Sequence, residues 1–81
     1  MFKVYILYSE KTNSFYIGFT SDILDERLRR HNSNHKGFTG RTNDWEIVYT
    51  EEFTTKTDAL KREIEIKNWK SRKRIEELIK S

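Results

Sequence analysis

Cysteine is absent from the 81 residues, so no disulfide, thiolate zinc site or cysteine nucleophile is available. A zinc ion would have to rest on His31, His35 and carboxylates. No apolar run approaches the ~18 residues of a membrane span, and the N-terminus lacks a signal-peptide pattern. A cytoplasmic protein with no membrane contact is the expectation. Apolar residues are also scarce, at 35% against 36% charged, while aromatic rings make up 14%. A chain of this length makes one domain, near the size where a single hydrophobic core is just sufficient. The expected core is thin and finished with large rings.

Charge is unevenly spread. Residues 1–55 carry seven Lys/Arg against eight Asp/Glu, a balance of −1, and residues 56–81 carry nine against five, a balance of +4. A basic end suits a phosphate backbone, which makes Lys67, Lys70 and Arg72 candidates for substrate contact. The plain alternative is a solvated helical face.

Residues 2–8 are almost all β-branched, aromatic or aliphatic and read as a strand. Glu10 to Asn13 is a polar turn, and Ser14 to Thr20 reads as a second strand, giving an antiparallel hairpin. With a loop of residues 10–13, Leu7 faces Tyr16 and Tyr5 faces Gly18, so these four share one side of the sheet. Gly18 would leave that side open to close approach. A helix is expected over residues 23–32 with Asp22 as its N-cap. At about 100° per residue, Arg27 and His31 fall at about 40° and 80°, inside the arc set by Ile23, Leu24 and Leu28. Charged and titratable groups on a core-facing stripe mark a functional or strained site.

Asn32 to Asp44 is a long loop for so small a domain, and its Lys36 and Arg41 are candidate phosphate contacts. Trp45 to Phe53 resumes strand character, with Trp45, Ile47 and Tyr49 expected on one face. Thr55 and Asp58 resemble a capping box that opens a helix reaching about Trp69. There Ala59, Leu60, Ile64 and Ile66 define the apolar arc, and Glu63 falls in its middle with Lys67 beside it. Ser71 to Lys80 has helical spacing too, either as a continuation or after a turn at Ser71. The fold class is α+β, in the order β-β-α-β-α with a further C-terminal helix, and helices packed on a small, largely antiparallel sheet.

These residues divide the work of phosphodiester hydrolysis. Glu63 can anchor one Mg²⁺ or Mn²⁺ ion, which binds through one or two carboxylates plus substrate phosphate. Arg27 can brace the phosphate with its fork of donors. A tyrosine, Tyr5 or Tyr16, can take a proton from the attacking water, and His31 can relay one. Each also has an ordinary reading: cross-strand packing for the tyrosines, an ion pair between Arg27 and Glu63, a satisfied core histidine. The coincidence of inward polar groups on two helices with an open strand face favours the catalytic one. Rival functions are a non-catalytic nucleic-acid-binding module and a protein-interaction subunit using Trp69, Ile75, Leu78 and Ile79. The sequence leaves room for a protein partner or a homodimer.

Val4-Tyr5-Ile6 and Tyr16-Ile17-Gly18, followed by Thr20, Asp22, Arg27-Leu28 and His31-Asn32, resemble the GIY-YIG nuclease superfamily. Ala59, Arg62-Glu63, Lys67 and Trp69 are similar to the late stretch of its small, single-domain members. The resemblance implies a three-stranded antiparallel sheet flanked by helices and a metal-dependent endonuclease acting on nucleic acid, with DNA taken ahead of RNA. It implies Tyr5, Tyr16, Arg27, His31 and Glu63 as site residues, Glu63 holding the metal. The segment between Asp22 and Arg27 is one residue longer than the pattern. No reader domain accompanies the nuclease stretch, so structure or backbone selectivity is expected rather than sequence readout.

Overall fold

The computed structural model describes residues 1–21, 23–33, 40 and 42–81. Strands β1 (Phe2–Ser9), β2 (Ser14–Thr20) and β3 (Glu46–Phe53) form one antiparallel sheet in the order β2-β1-β3. Helix α1 (Leu24–His31) follows the hairpin, and α2 (Lys56–Trp69) and α3 (Arg72–Lys80) follow β3. The fold is α+β, as the strand and helix periodicities require.

The hairpin has the expected register, with Tyr5 opposite Gly18 and Leu7 opposite Tyr16. Its turn closes through Asn13 at φ 52°, a left-handed position that asparagine tolerates. The Tyr8 hydroxyl donates to Asn13 Oδ1 at 2.7 Å. On the other edge of β1 the pairing slips: Ile6 faces Tyr49 but Leu7 faces Ile47, leaving Val48 as the extra residue of a bulge. That slip corrects one expectation. Trp45 and Ile47 pack with Tyr5 and Leu7, whereas Tyr49 turns to the other face with Val4 and Ile6.

Alternation along β1 thus feeds two cores. Val4, Ile6 and Ile17 meet Ala59, Ile66 and Ile75 from α2 and α3. On the opposite face Tyr5, Leu7 and Trp45 meet Leu24 and Leu28 of α1. The first helix starts later than its pattern suggests. Ile23 occupies the N-cap position, extended and without a capping side chain, and its carbonyl accepts from the Glu26 and Arg27 amides at 3.1 and 3.2 Å. Asp22, the expected cap, lies outside the described residues. Ile23 is 71% exposed, so the inward stripe of α1 is Leu24, Arg27, Leu28 and His31.

Helix α2 is capped as expected, Thr55 Oγ1 accepting from the Asp58 amide at 3.2 Å. Its apolar arc is narrower than expected, because Leu60 and Ile64 stand in solvent at 37% and 47% exposure. The side turned to the sheet is centred on Ala59 and Ile66, with Trp69 on one flank and half-buried Glu63 on the other. After Trp69 the chain turns. Lys70 adopts the left-handed conformation at φ 49°, and Ser71 caps α3 by accepting from the Arg74 amide. Of the long loop between α1 and β3, residues 34–39 and 41 lie outside the described residues.

Candidate active site

Tyr5 is 1% exposed, and its hydroxyl lies 2.8 Å from Nε2 of the buried His31. The imidazole tautomer decides which group donates. The Tyr16 ring completes the cluster, 4.8 Å from His31 and 6.4 Å from Tyr5 between centroids. Gly18 lies directly beneath. A Cβ there would sit 2.7 Å from the Tyr5 hydroxyl oxygen and 3.1 Å from Tyr16 Cε2. The close approach that this strand glycine permits is therefore made by the two tyrosines themselves.

His31 is the last residue of α1, and what fixes it is the residue after it. Asn32 clamps the backbone of Trp45, accepting from its amide at 2.8 Å and donating to its carbonyl at 3.1 Å. A second clamp holds the hairpin to the same segment. Asp44 accepts from the Ser9 and Thr42 hydroxyls, each at 2.6 Å, and from the Lys11 amide at 3.0 Å. These bonds, the Ser9 hydroxyl first, hold the Asp44 carboxyl well below the ordinary aspartate range. The sequence pattern assigned no role to Asn32, Asp44 or Ser9. Asparagine just past a helix was a signal of a helix end. Ser9 and Asp44 are 35 residues apart and left no local trace.

Arg27 projects from the inward stripe of α1. Its Nε is buried and has no hydrogen-bond partner among the described residues. An orphaned buried donor on a charged group is costly until an acceptor, from water or from a ligand, reaches it. Burial pushes the Tyr5 hydroxyl above the ordinary tyrosine value; Arg27 beside it pulls the other way, while Tyr16 and Glu63 add to the rise. Tyr5, Tyr16, Gly18, Arg27 and His31 thus share one neighbourhood, and the Glu63 carboxylate is close enough to be felt there. The Glu63 side chain is 12% exposed and pairs with Lys67 at 3.8 Å.

The adjacent Arg62 has a different fate. It bridges Glu51 of β3 at 3.0 Å and Glu65 at 2.6 Å, and its guanidinium lies 5.5 Å over Trp69. It ties α2 to the sheet.

The remaining predicted contacts scatter. Lys36 and Arg41 lie outside the described residues. Lys70 forms the exposed corner between α2 and α3, about 10 Å along the helix from Glu63. Arg72 sits at the hairpin end of the sheet. It donates to the Asn13 carbonyl at 2.7 Å and pairs with Glu76 at 3.4 Å, and its guanidinium is 5.1 Å from the Phe15 ring.

Among the described residues, no three metal-ligating side chains are gathered in one place. Among the described residues, Glu63 offers a largely buried carboxylate whose charge is felt at Tyr5. One such donor suits an oxygen-loving ion completed by phosphate and water, not an all-protein cage.

An antiparallel three-stranded sheet carrying two tyrosines over a glycine, with arginine and histidine delivered from the next helix, defines a recognisable class of small catalytic domain. The sequence matches the GIY-YIG catalytic domain over residues 1–76. The chain belongs to the GIY-YIG family, a nuclease family. Among its relatives, the UPF0213 protein of Staphylococcus saprophyticus is 35% identical over 65 residues, 80% of this chain and 79% of that one. A UPF0213 protein of Staphylococcus epidermidis is 36% identical over 67 residues, covering 80% and 82%. The solution NMR structure of a UPF0213 protein from Bacillus halodurans superposes with a TM-score of 0.61 at 33% identity, covering 99% of this chain and 84% of that one.

Proposed function

We propose that this protein is a metal-dependent endonuclease that hydrolyses phosphodiester bonds, with DNA as the expected substrate and shape or backbone as the basis of selection. The observation that carries this reading is the Tyr5–His31 contact at 2.8 Å beside an arginine whose buried Nε has no partner among the described residues. Arg27 is in no ion pair among the described residues. A substrate phosphate supplies the missing acceptor.

Tyr5 holds its proton at neutral pH, because burial raises its pKa. It can act as a base only by handing that proton on. His31 Nε2, in the tautomer that leaves it unprotonated, is placed to receive it. Water then loses a proton to the Tyr5 oxygen as Tyr5 loses its own to His31, and the hydroxide formed attacks phosphorus. Tyr16 packs on the imidazole and restricts its ring. Arg27 braces the phosphate oxygens. Glu63 would hold one Mg²⁺ or Mn²⁺, which when bound neutralises charge on the leaving oxygen.

The test is cleavage of duplex, branched and single-stranded DNA and RNA with Mg²⁺, with Mn²⁺ and with chelator. Glu63→Ala and Tyr5→Phe run alongside at matched purity. Metal-dependent cutting lost in both variants is expected. Binding without cutting across the panel would contradict the proposal, and equal cutting by all three proteins would expose a contaminant.

A further inference from the structure

One cavity lies at the hairpin end, lined by Tyr8, Phe15, Val48, Arg72, Glu76 and Ile79 among others, but its arginine is already engaged by Asn13 and Glu76. Another, of about 350 Å³, opens at the opposite end of the sheet between Phe2, Phe19, Thr20, Ser21, Arg27 and Lys56. Its two cations come from different elements, Arg27 from α1 and Lys56 as the first residue of α2. Among the described residues no carboxylate lines it. Lys56 is exposed and makes no ion pair among the described residues, and the Arg27 Nε has no partner among them. The positive end of the α2 dipole falls at the same place. Two cations that converge on one opening, neither in an ion pair among the described residues, favour an anion between them.

The walls add a second requirement. Phe2 and Phe19 are half-buried rings, and beside them stand the hydroxyl residues Thr20 and Ser21. Phosphate donors joined to aromatic walls in a cavity of this size suit a nucleotide rather than a bare ion. Its position relative to the cluster is fixed by register. Thr20 faces Lys3 and Gly18 faces Tyr5, two residues apart along the strands, or about 7 Å. A base reaches such a recess only out of its stack.

The geometry points to a subsite for one unstacked nucleotide next to the cleaved bond, its phosphate on Lys56 and Arg27 and its base against Phe2 and Phe19. Substrates with an unpaired nucleotide at that position are then preferred to continuous duplex. This selectivity rests on the nuclease reading above, whereas nucleotide binding itself can be tested without it.

The experiment is an amide NMR titration of the full chain with thymidine 5′-monophosphate, compared with thymidine and with inorganic phosphate. Shifts gathered at Phe2, Phe19, Ser21 and Lys56 are expected, with the nucleotide binding more tightly than either part. Lys56→Glu should weaken it about tenfold, the loss of one charge-assisted contact, while Lys61→Glu, also exposed on α2, leaves it unchanged. Equal binding of inorganic phosphate, or shifts elsewhere, overturns the subsite. In cleavage assays, Lys56→Glu should raise KM on duplex with an unpaired nucleotide and leave kcat unchanged. An equal KM rise on fully paired duplex overturns the selectivity. If nothing is cut while the titration still maps to the cavity, the nuclease reading falls and the nucleotide site stands.

Discussion

The two faces of β1 are built from neighbouring residues and do different work. Val4 and Ile6 point toward α2 and α3 into a wholly apolar cluster with Ile17, Ala59, Ile66 and Ile75. Tyr5 and Leu7, equally buried, point toward α1, where the packing surrounds a hydroxyl, an imidazole and a guanidinium. Burial contributes stability on the first face and rigidity of chemical groups on the second. So small a chain cannot spare a separate layer for its site, and one strand serves both purposes through its two-residue alternation.

The contrast can be broken most strongly at Glu63. Glu63→Gln should lower metal-dependent cleavage by about 10³-fold, since a metal's charge stabilisation amounts to several kcal/mol. Its melting temperature should barely move, because the Lys67 contact is long and Lys67 is half exposed. Ile66→Ala should do the reverse. Loss of a fully buried side chain costs about 2–5 kcal/mol by chemical denaturation, with turnover per folded molecule nearly unchanged.

Gly18→Ala comes next. A methyl group 2.7 Å from the Tyr5 oxygen must displace it, costing about 1–3 kcal/mol and separating Tyr5 from His31. In the double variant with Tyr5→Ala the stability penalty should be less than additive, because both colliding Tyr5 atoms, the hydroxyl oxygen and Cζ at 2.8 Å, are gone. A double-mutant cycle by denaturation reads this directly.

The mildest test is acid. Asp44 has its pKa lowered in the folded protein, so the unfolded chain binds the extra proton first. Its contribution is complete above the ordinary aspartate range and is lost as pH falls below it. Asp44→Asn should therefore flatten the fall of melting temperature below about pH 4.

Much of this plan is legible in the sequence, and the failures are instructive. The hairpin register follows from a four-residue turn, which places Tyr5 over Gly18. The stripe Leu24, Arg27, Leu28, His31 carries its two polar members at helical spacing, so both inward groups can be read directly. Tyr49 could not be placed, since one bulged residue at Val48 reverses the face of everything beyond it. Leu60 and Ile64 mislead because a helix on a three-stranded sheet buries a narrower stripe than its apolar content suggests. Asn32 and Asp44 act through bonds to distant backbone and hydroxyl groups, which no periodicity records.

The most direct test pairs Tyr5→Phe with Ile6→Ala, adjacent residues at 1% and 0% exposure on opposite faces of one strand. Cleavage rate and unfolding free energy are measured for both. Tyr5→Phe should lose about 10²-fold or more in rate while its stability changes by about 1 kcal/mol. Ile6→Ala should lose about 2–5 kcal/mol of stability and keep its rate per folded molecule. Wild-type cleavage by Tyr5→Phe would contradict the account, since the hydroxyl at the centre of the cluster would then have no part in the chemistry.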